Sequence, residues 1–156
     1  MITLTITKTK TMDKQEINKF FRGQRNNNPM NIIGGTNQWQ GMAGKQNDKH
    51  FVQFTTMTYG VRAAIILLTR YHRDHGLKTV TKIVHRWAPD GGDAERNYTT
   101  YVRNTLWKED VNQTRDDLFK VMQAMCWFES RYNLSRLMFD GAMKECPQSV
   151  QSYWRK

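Results

Sequence analysis

The side chains best equipped for chemistry in this chain are two glutamates and a cluster of asparagines. In the segment that follows Thr114, Leu118, Met122 and Met125 fall on one helical stripe, with Val121 beside it. Glu129 continues that stripe at its middle. A carboxyl held on an apolar face resists ionisation and stays able to donate a proton near neutral pH, as a general acid must. Close to a helix end the same side chain can also reach water, so the spacing permits both a catalytic and a solvated glutamate. Glu16 is the rival acid, on a helix whose apolar face is Ile17, Phe20 and Phe21. It lies on the flank of that face, where an ordinary exposed helix residue would sit.

Between the two acids lies Arg25-Asn26-Asn27-Asn28-Pro29-Met30-Asn31-Ile32. Asparagine tolerates turn geometry and bonds nearby backbone, so an ordered loop is expected. Each amide offers two donors and an acceptor. Asn26, Asn27, Asn28 and Asn31 therefore suit either a ligand rich in hydroxyls and amides, such as an N-acetylated sugar, or a polar turn stapled by its own side chains. Trp39, Tyr59, Tyr98 and Tyr101 offer faces for sugar rings. Trp87, beside Pro89, reads instead as core. Arg62, next to Gly60, is suited to binding the carbonyls of the asparagine loop or a substrate.

Asp13, Asp48 and Asp140 are the available second carboxylates. A glycoside hydrolase needs one of them as nucleophile or base. A lytic transglycosylase does not, because the 6-hydroxyl of its own substrate attacks. The scattered histidines form no metal-ligand spacing, and His72 and His75 read as surface residues, so no cofactor or metal is expected. Cys126 and Cys146 read as free thiols.

The net charge of +10 and pI near 9.8 favour polyanionic partners. Nucleic acid and the bacterial envelope both qualify. The basic residues are dispersed and form no recognition motif, so nucleic acid is the weaker partner. The longest apolar run, Ala63 to Leu68, falls far short of the roughly 18 residues of a transmembrane helix. Met1 to Leu4 do not open a signal peptide, so delivery outside a cytoplasm would need a phage particle or a lysis pore.

These residues need a mostly α frame. Alternation of Ile2, Leu4 and Ile6 with threonines predicts a strand-like arm over 1–10, either an added edge strand or a device for docking on another protein. A single domain is expected over 11–156. Its expected helices run from 12 to 22 with Thr11 as cap, from 57 to 75 closed by Gly76, from Thr79 to Trp87, from 97 to 107, from Thr114 to about 132, and from 134 to 144. Between the first two, Phe51-Val52-Gln53-Phe54 predicts a strand in a small β-hairpin region.

In order and spacing the asparagine segment, Trp39-Gln40-Gly41, Phe51-Val52-Gln53-Phe54, Tyr59-Gly60-Val61-Arg62-Ala63-Ala64, Trp87-Ala88-Pro89 and Asn97-Tyr98-Thr99-Thr100-Tyr101 resemble a family of phage virion-associated, lysozyme-like proteins, over residues 20–132. Met30 stands where that family usually has Gly. Cys126-Trp127-Phe128-Glu129-Ser130-Arg131-Tyr132-Asn133 looks like the Glu-Ser segment of soluble lytic transglycosylases, in which the Glu is the general acid/base. The resemblance implies that role for Glu129, with Ser130 in support. It departs in order, since in ordinary transglycosylases the Glu helix comes first. The lysozyme-type order would instead assign the acid to Glu16.

Together these readings imply cleavage of peptidoglycan glycan strands, of transglycosylase or muramidase type, by a virion protein acting in the host periplasm or cell wall. Other virion proteins are its expected partners. The alternative is a non-catalytic structural or adaptor protein that retains the fold.

Overall fold

The computed structural model describes residues 13–156, so the strand-like arm over 1–10 and the Thr11 cap lie outside the described residues. The first helix, α1, is Lys14–Arg25. Its cap is Asp13, in a reciprocal box with Glu16: the Glu16 amide donates to Asp13 Oδ1 at 2.8 Å, and the Asp13 amide donates to Glu16 Oε2 at 3.3 Å. At the other end the Asn26 amide donates to the Arg22 carbonyl at 3.0 Å, so the helix reaches Arg25 rather than ending at residue 22.

The expected hairpin is reduced to isolated antiparallel bridges, Ile33 with Phe51 and Met42 with Phe54. Asparagines explain the shortfall. The Phe54 amide donates to the Asn26 carbonyl, and Asn28 Nδ2 donates to the Val52 carbonyl. Backbone groups that would extend a ladder are already taken.

Helix α2, Met57–Thr69, is capped by Thr56 and buried along almost its whole length, from Gly60 to Ile66. It runs on as a π-helical turn over Arg70–Asp74 before Gly76 at φ +64°. Helix α3 (Val80–Trp87) begins at the Thr79 cap. Helix α4 (Asp93–Leu106) starts earlier than residue 97, with its first-turn acids Asp93 and Glu95 at the positive end of the helix dipole. Helix α5 is Arg115–Ser130, capped by Thr114. Thr114 Oγ1 accepts from the Asp117 amide, while the Asp117 side chain accepts from the Asn112 amide and pairs with Lys108.

Helix α6 (Arg136–Lys144) begins at the Ser135 cap, and α7 (Gln148–Tyr153) was not foreseen. It carries Val150 and leads to Trp154, which is 1% exposed and donates to Thr69 Oγ1 at 2.8 Å.

The molecule is mostly α, with its core centred on α2. Helix α2 packs on α6 and α7, α5 packs on α1 and α4, and α3 packs on α4. His72 belongs to this core rather than the surface: its ring meets Tyr153 Oη and the Val111 carbonyl at 2.6 Å each. Burial lowers its pKa. Cys126 and Cys146 are buried free thiols. Among the described residues, no helix is long and apolar enough to cross a membrane.

Candidate functional site

Helix α5 ends at Arg131, a non-glycine residue in the left-handed region at φ +54°. That conformation is costly for a side chain. Arg131 offsets the cost by donating from Nη1 to the carbonyl of Phe128 (3.0 Å), which the helix end leaves open, and to that of Trp127 (2.7 Å), which also accepts the Arg131 amide. Helix α1 meets this end at Gly23. A Cβ there would lie 2.7 Å from Ser130 Cβ and 2.8 Å from the Asn28 carbonyl oxygen, so only glycine permits the approach. Ser130 Oγ donates to the Pro29 carbonyl at 2.7 Å, and Gln24 Nε2 donates to the carbonyls of Ser130 and Arg131. These bonds fix the last turn of α5, and with it Glu129, against the asparagine segment.

The segment itself is held from beneath. Asn28 is fully buried; its Nδ2 donates to the carbonyls of Ile32 and Val52, and its Oδ1 accepts from the Ile32 amide. Asn26 donates to Asp48 and accepts from Gln53, while Asn27 donates to the Phe54 carbonyl. The Asn27 carbonyl sits so close to Gly60 that a Cβ there would be 1.8 Å from it. Met30 is buried, and Trp87 Nε1 donates to its carbonyl at 3.1 Å. The positive φ angles of the segment fall at Asn27 (+51°) and Asn31 (+54°), not at residue 30. Met30 in place of glycine therefore costs no backbone strain and adds core contacts.

Asn31 alone of the four asparagines turns to the acid. Its Nδ2 lies 3.1 Å from Glu129 Oε1 and 3.2 Å from the Glu129 carbonyl oxygen. Glu129 lines two clefts, and a third adjoins one of them at Asn31. One, of about 520 Å³, runs between α1 and α5 past Lys19, Phe20 and Arg131. A second, of about 280 Å³, continues past Phe128 and Tyr98 to Asp90 and Glu95. A third, of about 250 Å³, shares Asn31 with the first and is walled by Trp39, Tyr71 and Trp87.

Burial raises the pKa of Glu129, opposed only in part by the Asn31 amide and the nearby Tyr98 hydroxyl. Tyr98 is 3% exposed and stacks on Phe128 at 4.0 Å. Its hydroxyl influences Glu129 electrostatically, yet makes no hydrogen bond of normal geometry. Among the described residues, Asn31 Oδ1 is the other buried side-chain polar atom left without a partner. Unsatisfied buried groups are costly and uncommon. Both occur beside this carboxyl, in residues that contact or face it. Burial thus favours the protonated carboxyl, which faces a groove.

The chain is 34% identical over 122 residues, 76% of each sequence, to protein P5 of Pseudoalteromonas phage PM2. It belongs to the P5 family. No protein-family model matches it.

Several expected site residues lie elsewhere in this P5-family chain. Glu16 is taken up by the α1 capping box and lines none of the three clefts. Arg62 is buried and donates from Nε to the Glu145 carbonyl at 2.7 Å, tying α2 to the end of α6 rather than to the asparagine loop. Tyr59 packs its ring on Gly41, which sits at φ +82° beneath it. Ser130 is wholly buried, so its hydroxyl is a staple and cannot touch a ligand directly. Tyr101 stays at the surface, 6.0 Å from the Phe128 ring.

The proposed second acids are also occupied: Asp13 caps α1, Asp140 pairs with Arg136, and Asp48 is clamped by Arg22 through two 2.6 Å contacts. The acids that do share a cleft with Glu129 are Asp90 and Glu95. Glu95 accepts from the amides of Asp90 and Gly91 and from His85, which holds its pKa down at about 2. Sequence reasoning passed over them and Phe128. The Trp87-Ala88-Pro89 turn is the local signal, because Ala88 and Pro89 line the cleft beside Asp90.

Proposed function

We propose that this P5-family chain cleaves the glycan strands of peptidoglycan as a component of a phage particle, with Glu129 as the acid/base. The supporting observation is a carboxyl raised in pKa by burial, held by Asn31 where two clefts meet. An extended groove with one proton donor at its middle suits a polymer of sugars, and a lysozyme-like fold is the natural setting for it. Asn31 orients the carboxyl. Trp39 and Tyr98 line the adjoining clefts with aromatic surface.

The reaction is of lytic transglycosylase type. Protonated Glu129 gives its proton to the bridging glycosidic oxygen as the C1–O bond breaks. The carboxylate then takes the proton of the sugar's own 6-hydroxyl as that oxygen bonds to C1, closing an anhydro ring and restoring the acid. No second carboxylate is required. A muramidase reading is favoured by one observation: the acids Asp90 and Glu95 share a cleft with Glu129, and Glu95 stays ionised, as a nucleophile or base must.

The test is digestion of purified peptidoglycan by wild type, Glu129→Gln and Glu16→Gln, with mass analysis of the fragments. Anhydro-muropeptides lost only in Glu129→Gln are expected. Reducing ends would replace the transglycosylase step with hydrolysis. No products from wild type would leave a non-catalytic virion adaptor, a role compatible with the inward turn of Asn26, Asn27 and Asn28.

A further inference from the structure

The two clefts that meet at Glu129 carry opposite charge. On the α1 side, Lys19 and Arg131 line the wall, and among the described residues Glu129 is its only acid. Arg22 lines the same cleft but is neutralised by Asp48. Lys19 makes no ion pair among the described residues, and Arg131 gives only Nη1 to backbone carbonyls. Arg131 is further fixed by stacking 4.2 Å over the Phe20 ring, so its charge is presented in one place. On the α4 side the wall holds Asp90 and Glu95 and, among the described residues, no lysine or arginine.

A neutral polysaccharide would have no use for this polarity. The glycan of peptidoglycan is not uniform: one sugar of each pair bears a peptide stem with free carboxylates, and its neighbour does not. Resting on the glycan-cleaving reading above, we propose that the Lys19–Arg131 wall is a subsite for the anionic peptide stem, so that the groove accepts stem-bearing strands in one orientation and discriminates against stem-free strands. Lys19 and Arg131 are specificity residues that act on binding and take no part in bond breaking. The acids opposite repel a stem placed on the α4 side, which fixes the direction of the strand.

Soluble glycan strands with intact stems, and the same strands stripped of stems by an amidase with the freed lactyl carboxylates converted to amides, serve as the two probes. Cleavage by wild type is followed on each. Binding of each to Glu129→Gln is measured by calorimetry. Wild type should favour the stem-bearing strand mainly through KM, and the preference should shrink as salt is raised. Lys19→Glu should cut the preference by about tenfold and Lys19→Gln by about threefold, as expected for exposed ion pairs. Equal cleavage and equal binding of the two strands, or a preference untouched by Lys19→Glu, would overturn the stem subsite while leaving glycan cleavage intact. Failure to cleave or bind either strand would overturn both.

Discussion

Asp48 and Glu129 are carboxylates withdrawn from water on either side of the asparagine segment, and the fold treats them in opposite ways. Asp48 receives Arg22 through two contacts, the amides of His50 and Phe51, and Asn26. These donors hold its pKa far below the usual carboxylate range. Glu129 receives a single amide from Asn31, and burial pushes its pKa up. The number of donors supplied, rather than burial alone, separates a structural acid from one able to carry a proton.

The sharpest way to break this comparison is Glu129→Gln. Peptidoglycan turnover should fall by roughly 10²–10⁴-fold, the contribution of a positioned general acid, with little loss of fold. Muropeptide release measures it, and near-normal release would remove Glu129 from the chemistry. Asn28→Ala tests the structural half. It removes three buried hydrogen bonds and should lower stability by about 3 kcal/mol in urea unfolding.

Asp48→Asn should cost about 2 kcal/mol near neutral pH, because Arg22 and two amides lose an ionised acceptor. The folded pKa of Asp48 is depressed. Its stabilisation is therefore present above the unfolded carboxylate value and lost as pH falls towards the folded one. The gap between wild type and variant should narrow on acidification below about pH 4.

Asn31→Ala sharpens the other half. Turnover should drop about tenfold. The amide favours the ionised form of Glu129, so removing it should move the alkaline limb of the activity profile to higher pH. An unmoved limb would separate Asn31 from the acid.

The smallest effect is on stability. The folded pKa of Glu129 lies above its unfolded value, so its contribution is complete below the unfolded value and erodes as pH rises through the folded one. Glu129→Gln escapes that erosion, and its melting temperature relative to wild type should be higher at pH 7 than at pH 4.

Where local signals act alone, the sequence was legible. Thr79 and Thr114 cap α3 and α5 as their types predict, and the apolar stripe of α5 carries Glu129 to the edge of the core. Boundaries set by distant partners were not. Helix α7 has six residues and no cap signal. It is secured by Trp154 reaching Thr69 and by Arg115 donating to the Gln151 and Trp154 carbonyls. His72 looks like a surface residue until α7 and Val111 close over it.

The asparagine segment divides the same way. Its composition determined that the stretch would be an ordered, hydrogen-bonded turn, because asparagine bonds backbone and tolerates positive φ. The amide types are identical, and nothing local distinguishes Asn28 from Asn31. Tertiary structure decided that Asn26, Asn27 and Asn28 face inward and Asn31 faces Glu129. It did so through close approaches at Gly23, where α1 meets Ser130 and the Asn28 carbonyl, and at Gly60, where α2 meets the Asn27 carbonyl. Periodicity put a glutamate on an apolar stripe; its raised pKa depends on how few donors the neighbouring elements bring to it, a property of the assembled fold.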